Sequence, residues 1–397
     1  MKILVLLSRV PYPLEKGDKL RAFNQLKGLS KNHEIYLVAL NDSPLHPEAE
    51  QILSSFCKSV KIISLSKWDI FQNLSKSIFS TLPFQVSYFF DKKADEIIKD
   101  YSREINPDVV FCQLIRMAEY AKNLPFPKVL DYMDVFSKGM KRRAKKSFLL
   151  KPFLIWEAGK LLKYENYVFD LFDQKTIISK PDQLQIPHSA NNQITVIPNG
   201  VDFEYFQSKK SEKKYQILFT GNMAYPPNID SAIFLAKKII PQLKRQFPSI
   251  KLLIAGANPV ASVIALKSKN IKVSGWVNDI RDCYNSSEIF VAPMQMGTGL
   301  QNKLLEAMAM KIPCITSELA NKALGAKDNE EILVAKNVDE YVRKISELLQ
   351  DQNKRNLLAE NAYQFVKQNY NWDKINSQLE EILISAAKLK PQSHPNS

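Results

Sequence analysis

Short apolar runs recur nearly throughout the chain, and the stretches between them repeat their apolar residues at helical spacing. Runs such as KILVLLS, HEIYLVAL, DVVFCQ and YQILFTG are continuously apolar rather than alternating. Such runs suit strands buried on both faces of a parallel sheet, where crossover helices cover the two sides. The expectation is therefore an α/β chain of βαβ units. At 397 residues it exceeds the size at which one hydrophobic core keeps growing, so two domains are expected.

The first series of strands is KILVLLS, HEIYLVAL, VKIISL, DVVFCQ, KVLDYM, QKTIIS and ITVIP. The second is YQILFTG, KLLIAG, IKVSGW, EIFVAPM, PCITS and EILVA. The polar run QSKKSEKK separates them. These patterns predict an N-terminal Rossmann-like domain over 1–201, a linker over 202–214 and a C-terminal Rossmann-like domain over 215–371. A final helix, 372–390, is expected to cross back onto the first domain, and the last residues read as a frayed tail. Both domains read as doubly wound sheets, whose ligands sit at the carboxyl ends of the strands, and a two-domain version sets those ends face to face across a cleft.

Five apolar residues between Lys2 and Ser8 are too few for a signal-peptide core, so the opening run reads as a buried strand. The four cysteines form no CxxC pair and have no histidine at metal-ligand spacing, which points to free thiols in a reducing compartment and to no metal site.

Residues 293–317 read PMQMGTGLQNKLLEAMAMKIPCITS. Gly297, Thr298 and Gly299 follow a strand and precede a helix, so their amides can face an anion, with the helix dipole adding attraction. Lys303 falls in the first helical turn, where a cation is disfavoured unless an anion sits nearby. Glu306 is three residues on, on the same face. The competing reading is a glycine-rich turn followed by an exposed Lys/Glu pair. Neither a Walker loop nor a dinucleotide fingerprint is present. The loop SRVPYPLEKGDKLR after the first strand places Gly17 and Asp18 just before a helix.

Taken together, VIPNGVD, LLEAMAMKIPCITS, SRVPYPLEKGDKLR, LDYMDVFS, GNMAYPPNID and GTGLQNKLLEAMAM resemble the GT-B nucleotide-sugar glycosyltransferases of family 4. More narrowly, the chain is similar to a subgroup of sugar transferases associated with bacterial exopolysaccharide systems. The resemblance implies GT-B architecture and transfer, with retention, of a sugar from a nucleotide-diphosphate donor to a glycan or lipid-linked acceptor. It implies no cofactor besides that donor substrate, and no metal. Carried over by position, Glu306 would hold the donor ribose. Gly297, Thr298, Gly299, Leu300 and Gln301 would hold the diphosphate and sugar, and Gly275 to Val277 would receive the base. Gly17 and Asp18 would face phosphate and sugar from the first domain, and Gly221 and Asn222 complete the donor set. Lys303 would neutralise the leaving diphosphate. Thr298 stands where family members usually carry a glutamate, and their usual Arg and Lys-Gly are missing from GNMAYPPNID. A common histidine is replaced around 131–134, which makes Asp134 a catalytic candidate; Asp131 reads as a cap or ion-pair partner.

The formal charge of +14 is local. Residues 138–163 hold nine Lys and Arg against one acid, and the rest of the first 200 residues is neutral. Lys141, Arg142, Arg143, Lys145 and Lys146 mix there with Phe153 and Trp156, which suits a helix on an anionic membrane surface at the cytoplasmic face. A solvated run beside a core helix competes equally. Nucleic acid is the weaker reading, since no binding motif accompanies the charge. Two other functions share the architecture: a nucleotide-sugar epimerase, and a catalytically degenerate membrane-bound scaffold.

Overall fold

The computed structural model describes residues 1–389 except Glu15, Lys146, Gly297 and Thr298. The chain divides into two compact units, Met1–Pro198 joined by the helix Trp372–Ala387, and Asn199–Asn371.

The first unit holds seven parallel strands: β1 (Lys2–Leu7), β2 (Glu34–Asn41), β3 (Ser59–Ser64), β4 (Val109–Gln113), β5 (Lys128–Asp131), β6 (Gln174–Ile177) and β7 (Thr195–Val196). Their order is β3-β2-β1-β4-β5-β6-β7. Successive side chains of a strand point to opposite faces, so Ile3, Val5 and Leu7 join one core while Leu4 and Leu6 join another. Trp372, Ile375, Leu379 and Leu383 cover the first face, and Leu161, Val168 and Phe169 of the helix Lys151–Leu171 cover the second. That double cover is why the strand sequences read as unbroken apolar runs.

The second unit holds six parallel strands: β8 (Tyr215–Thr220), β9 (Leu252–Ala255), β10 (Ile271–Val273), β11 (Ser287–Ala292), β12 (Cys314–Thr316) and β13 (Leu333–Val334), in the order β10-β9-β8-β11-β12-β13. Both units are Rossmann-like, and the α/β class expected from the apolar runs is the one observed. All four cysteines are free and buried.

The run 202–214, expected as a linker, is tied to the second unit instead. Asp202 caps the turn that follows it, Phe203 and Phe206 pack on the second core, and the Lys209 amide and Lys213 Nζ donate to Asn285 Oδ1 and O at 2.9 and 2.8 Å. Polar composition suggested a free connector, but these backbone and side-chain partners lie too far along the chain to read in advance. Gly17 and Asp18 form the first turn of the helix Gly17–Leu29 rather than preceding it.

One ion pair locks the first unit. Arg21, from that helix, donates Nε to Asp131 Oδ2 at 2.6 Å with both side chains wholly buried, and its Nη1 donates to Pro198 O at 3.0 Å. Losing one partner of a buried pair strands the other charge in a poor solvent. Asp131→Ala should therefore destabilise the protein by about 3–5 kcal/mol in a urea titration, and a loss under about 1 kcal/mol would show that the pair holds nothing together.

Candidate functional site

The carboxyl ends of β8, β9 and β10 each pass into a glycine with positive φ: Gly221 (φ 151°), Gly256 (φ 138°) and Gly275 (φ 72°). The first two of these turns crowd one another, while Gly275 has open space around it. A Cβ on Gly256 would lie 1.9 Å from the Gly221 carbonyl oxygen, and one on Gly221 would lie 2.6 Å from Asn228 Nδ2 and 3.2 Å from Lys303 Nζ. The glycines thus open the sheet edge on which the site is built. Gly256 escaped sequence reading because a single glycine after a strand carries no motif.

On the other side of β8, β11 leads through residues 293–301 into the helix Asn302–Ala309. Gln301 caps that helix in extended conformation without a side-chain cap, since its Nε2 donates to Gly299 O at 2.9 Å. No side chain among the described residues caps the first turn, in which the Leu304 amide donates to Gln301 O at 2.9 Å. Leu300 packs against the second core. Gly297 and Thr298, expected to contribute amides here, lie outside the described residues.

Lys303 turns inward. Its ammonium donates to Asn228 Oδ1, lies 4.9 Å from the centre of the Phe219 ring and approaches Met294 Sδ at 4.0 Å. Asn228 is itself fixed, its Nδ2 donating to Asn222 O at 2.9 Å. Burial pulls the Lys303 pKa down to about 7, against the opposing pull of Glu306. Here is a lysine held against an apolar wall with no carboxylate of the described residues in contact, next to a helix start without a side-chain cap. Such a group gains most from an anion.

Glu306 accepts from Tyr284 OH at 2.8 Å, and the Tyr284 hydroxyl also lies 3.0 Å from Thr220 Oγ1. Burial pushes the Glu306 carboxyl up, while Tyr284 and Lys303 pull it down. One carboxylate oxygen is therefore anchored and the other is left to accept from a hydroxylated ligand. Beside it, Arg281 stacks on Tyr205 at 4.1 Å and chelates Asp279, with Nη2 to Oδ2 at 2.6 Å. Val277 is partly buried on the core, and between it and Gly275 the Trp276 side chain is 65% exposed.

The fold thus brings Gly221, Asn222, Lys303 and Glu306 together, with Gly299 to Gln301 leading into their helix. Asn228, Tyr284, Thr220, Tyr205 and Arg281 were missed. Gly17, Asp18 and Asp134 belong to the first unit. There Asp18 pairs with Arg9 at 2.9 Å, and exposed Asp134 accepts from the Val135 amide at 2.7 Å. Among the described residues, no three His, Cys, Asp or Glu side chains converge as ligands to a metal.

With this geometry in hand, residues 214–351 match the family described as Glycosyl transferases group 1. The match covers 138 of the 397 residues, most of the second unit. Along its full length the chain is similar to an uncharacterized 44.6 kDa protein in the cps region of Klebsiella pneumoniae, at 23% identity over 95% of this chain and 98% of that protein. It is also similar to the UDP-Gal:alpha-D-GlcNAc-diphosphoundecaprenol alpha-1,3-galactosyltransferase of Escherichia coli, at 26% identity over 48% of this chain and 54% of that one. Among solved structures, Anabaena Alr3699/HepE in complex with UDP and glucose has the same fold, with a TM-score of 0.69 and 14% identity over 97% of this chain and 100% of that one. The architecture is GT-B, and half-buried Lys303 and Glu306 fall inside the matched region.

Gly221→Ala should cost about 1–3 kcal/mol of stability, because it forces a side chain into a left-handed turn and against Asn228. A melting temperature equal to that of the parent chain would show that the turn has room for a side chain.

Proposed function

We propose that the chain is a retaining glycosyltransferase moving a sugar from a nucleotide-diphosphate donor to a glycan or lipid-linked acceptor in surface or extracellular polysaccharide synthesis. The observation that carries this reading is the desolvated Lys303 beside the uncapped amides of the helix Asn302–Ala309, with Glu306 one turn on. In the reaction the anomeric C–O bond to the diphosphate breaks and a C–O bond to the acceptor oxygen forms. The acceptor's proton passes to the departing phosphate. Negative charge grows on the leaving group, and oriented amides plus a cation in a dry site stabilise it without reorganising. Glu306 accepts from the ribose hydroxyls, and Gly275 to Val277 border the base. The name of the Escherichia coli relative favours uracil as that base and a diphospholipid-linked sugar as acceptor.

Charge regulation follows from burial. With its pKa near 7, Lys303 is mostly neutral at pH 8 before the donor arrives and becomes an ammonium against the diphosphate. Calorimetry with UDP at pH 8 in buffers of different ionisation enthalpy should register proton uptake on binding. Lys303→Met should abolish that uptake and weaken UDP by about 10- to 100-fold, the worth of a hydrogen bond to a charged group. Unchanged affinity in both Lys303→Met and Glu306→Gln would sink the site assignment.

We further propose that the first unit rests on an anionic membrane surface on the cytoplasmic side. Lys141 and Arg143 are exposed on the helix Phe136–Ala144, with Arg142 half-buried between them and Lys145 exposed at its end; Lys146 lies outside the described residues. The following residues Phe148, Leu149, Leu150, Phe153 and Trp156 are also exposed, Phe148 at 93%. A second segment, not singled out in the sequence, adds Trp68, Phe71 and Phe79, the last 94% exposed. The segments adjoin, since Lys160 Nζ donates to Ser77 O at 2.6 Å. No helix among the described residues is long and apolar enough to cross a membrane. Basic residues around exposed aromatics suit the headgroup boundary. The chain should float with anionic vesicles at low salt and be released as salt screens the charge. Equal flotation of Phe79→Ser/Phe148→Ser/Trp156→Ser would contradict this surface.

A further inference from the structure

The carboxyl edge of the first sheet carries a charged cluster that the nucleotide site does not use. Strand order reverses between β1 and β4, and open α/β sheets hold ligands outside the strand ends at such a point. Arg9 follows β1 and Arg116 follows β4, so two arginines flank the reversal. Asp42 follows β2 and Asp134 follows β5. The backbone is bent hard to present them: Leu114 has φ 66° and Met133 has φ 59°, conformations that bulky residues rarely adopt and that gather at functional sites.

Arg116 is the unusual member. Its guanidinium lies 5.0 Å from the centre of the Phe89 ring and 4.7 Å from that of Phe136, and Arg9 lies 5.7 Å from the same Phe89 ring. It donates Nη2 to Gln85 Oε1 at 2.9 Å, while its Nε is buried with no hydrogen-bond partner. Among the described residues, the carboxylates nearest to it bond elsewhere. Asp18 pairs with Arg9, Asp42 accepts from Tyr88 OH at 3.1 Å, and Asp134 accepts from the Val135 amide. These acids reach Arg116 through space alone, and burial together with the like charge of Arg9 pulls its pKa down to about 10. A half-buried guanidinium whose buried Nε has no partner, beside a second guanidinium and out of contact with the carboxylates of the described residues, is costly. A planar fork of donors matches two oxygens of one phosphate.

We propose that Arg116, assisted by Arg9, forms a phosphoryl-binding subsite on the first unit, taking one phosphate of a substrate's phosphate or diphosphate ester. This rests on the transfer reading only for the identity of the substrate. Two sources carry the same group: the diphosphate of the donor, and a phosphate linking the acceptor to its lipid.

The test titrates inorganic diphosphate into the full chain carrying Lys303→Met, which removes the nucleotide site, and then into the same chain with Arg116→Gln or Arg116→Lys. Arg116→Gln should weaken diphosphate by about tenfold or more, as loss of a charge-assisted fork implies. Arg116→Lys keeps the charge and not the fork, so it should bind between the two, and its melting profile separates lost binding from lost folding. Parent affinity in both variants overturns the proposal while leaving UDP binding at Lys303, and the transfer reading with it, untouched. In steady-state transfer with Lys303 intact, a raised KM for the nucleotide sugar in Arg116→Gln identifies the donor as the source. A raised KM for a lipid-diphosphate-linked acceptor identifies the acceptor. If neither KM rises, the subsite has no place in the reaction.

Discussion

Parallel pairing is the constraint from which the rest of this molecule follows. Strands that run one way can be joined only by crossovers, so helices cover both faces and every strand delivers its chain to the same edge. At that edge the backbone must leave the sheet within a residue or two. Gly221, Gly256 and Gly275 make that turn in the second unit, and Leu114 and Met133 make it under strain in the first. The space these turns open is where Lys303 and Glu306, in one unit, and Arg9 and Arg116, in the other, are found.

Each unit holds a half-buried basic side chain out of contact with the carboxylates of the described residues. Lys303 faces Phe219, Met294 and Asn228; Arg116 faces Phe89, Phe136 and Gln85. Amide oxygens and aromatic faces orient a cation without neutralising it, which keeps its field available to a ligand. A carboxylate in either place would have made a stronger internal bond and a poorer site. The Arg21–Asp131 pair shows the contrast: complete neutralisation in the core, and a purely architectural part.

The sheets were legible in the chain because burial on both faces writes itself as continuous apolar runs. The helix at Asn302 and its Lys303 and Glu306 were legible for a similar reason, since glycines, a lysine in a first turn and a glutamate three residues on lie within ten positions. What could not be read were partners remote in sequence. Asn228 lies 75 residues from Lys303 and Tyr284 lies 22 from Glu306, and nothing local marks either. The linker was misjudged because polarity hid its bonds to Asn285. Trp68, Phe71 and Phe79 were passed over because an aromatic residue alone does not declare which side of the surface it occupies.

The helix Lys151–Leu171 repays a closer look for what it leaves free. On its inner side, buried Glu157 accepts from the amides of Phe84 and Gln85 at 2.9 and 3.1 Å, and buried Glu165 accepts from the amide and hydroxyl of Ser137 at 3.0 and 2.5 Å. Two inward carboxylates thereby hold the starts of two neighbouring helices, Phe84–Phe89 and Phe136–Ala144. The placement of both helices is thus set chiefly from the inner side. The outer side adds looser ties, Lys160 Nζ to Ser77 O and the rings of Phe153 and Trp156 against Phe84, so the exposed residues beyond them, such as Phe148 and Leu149, can drift in composition without disturbing the scaffold.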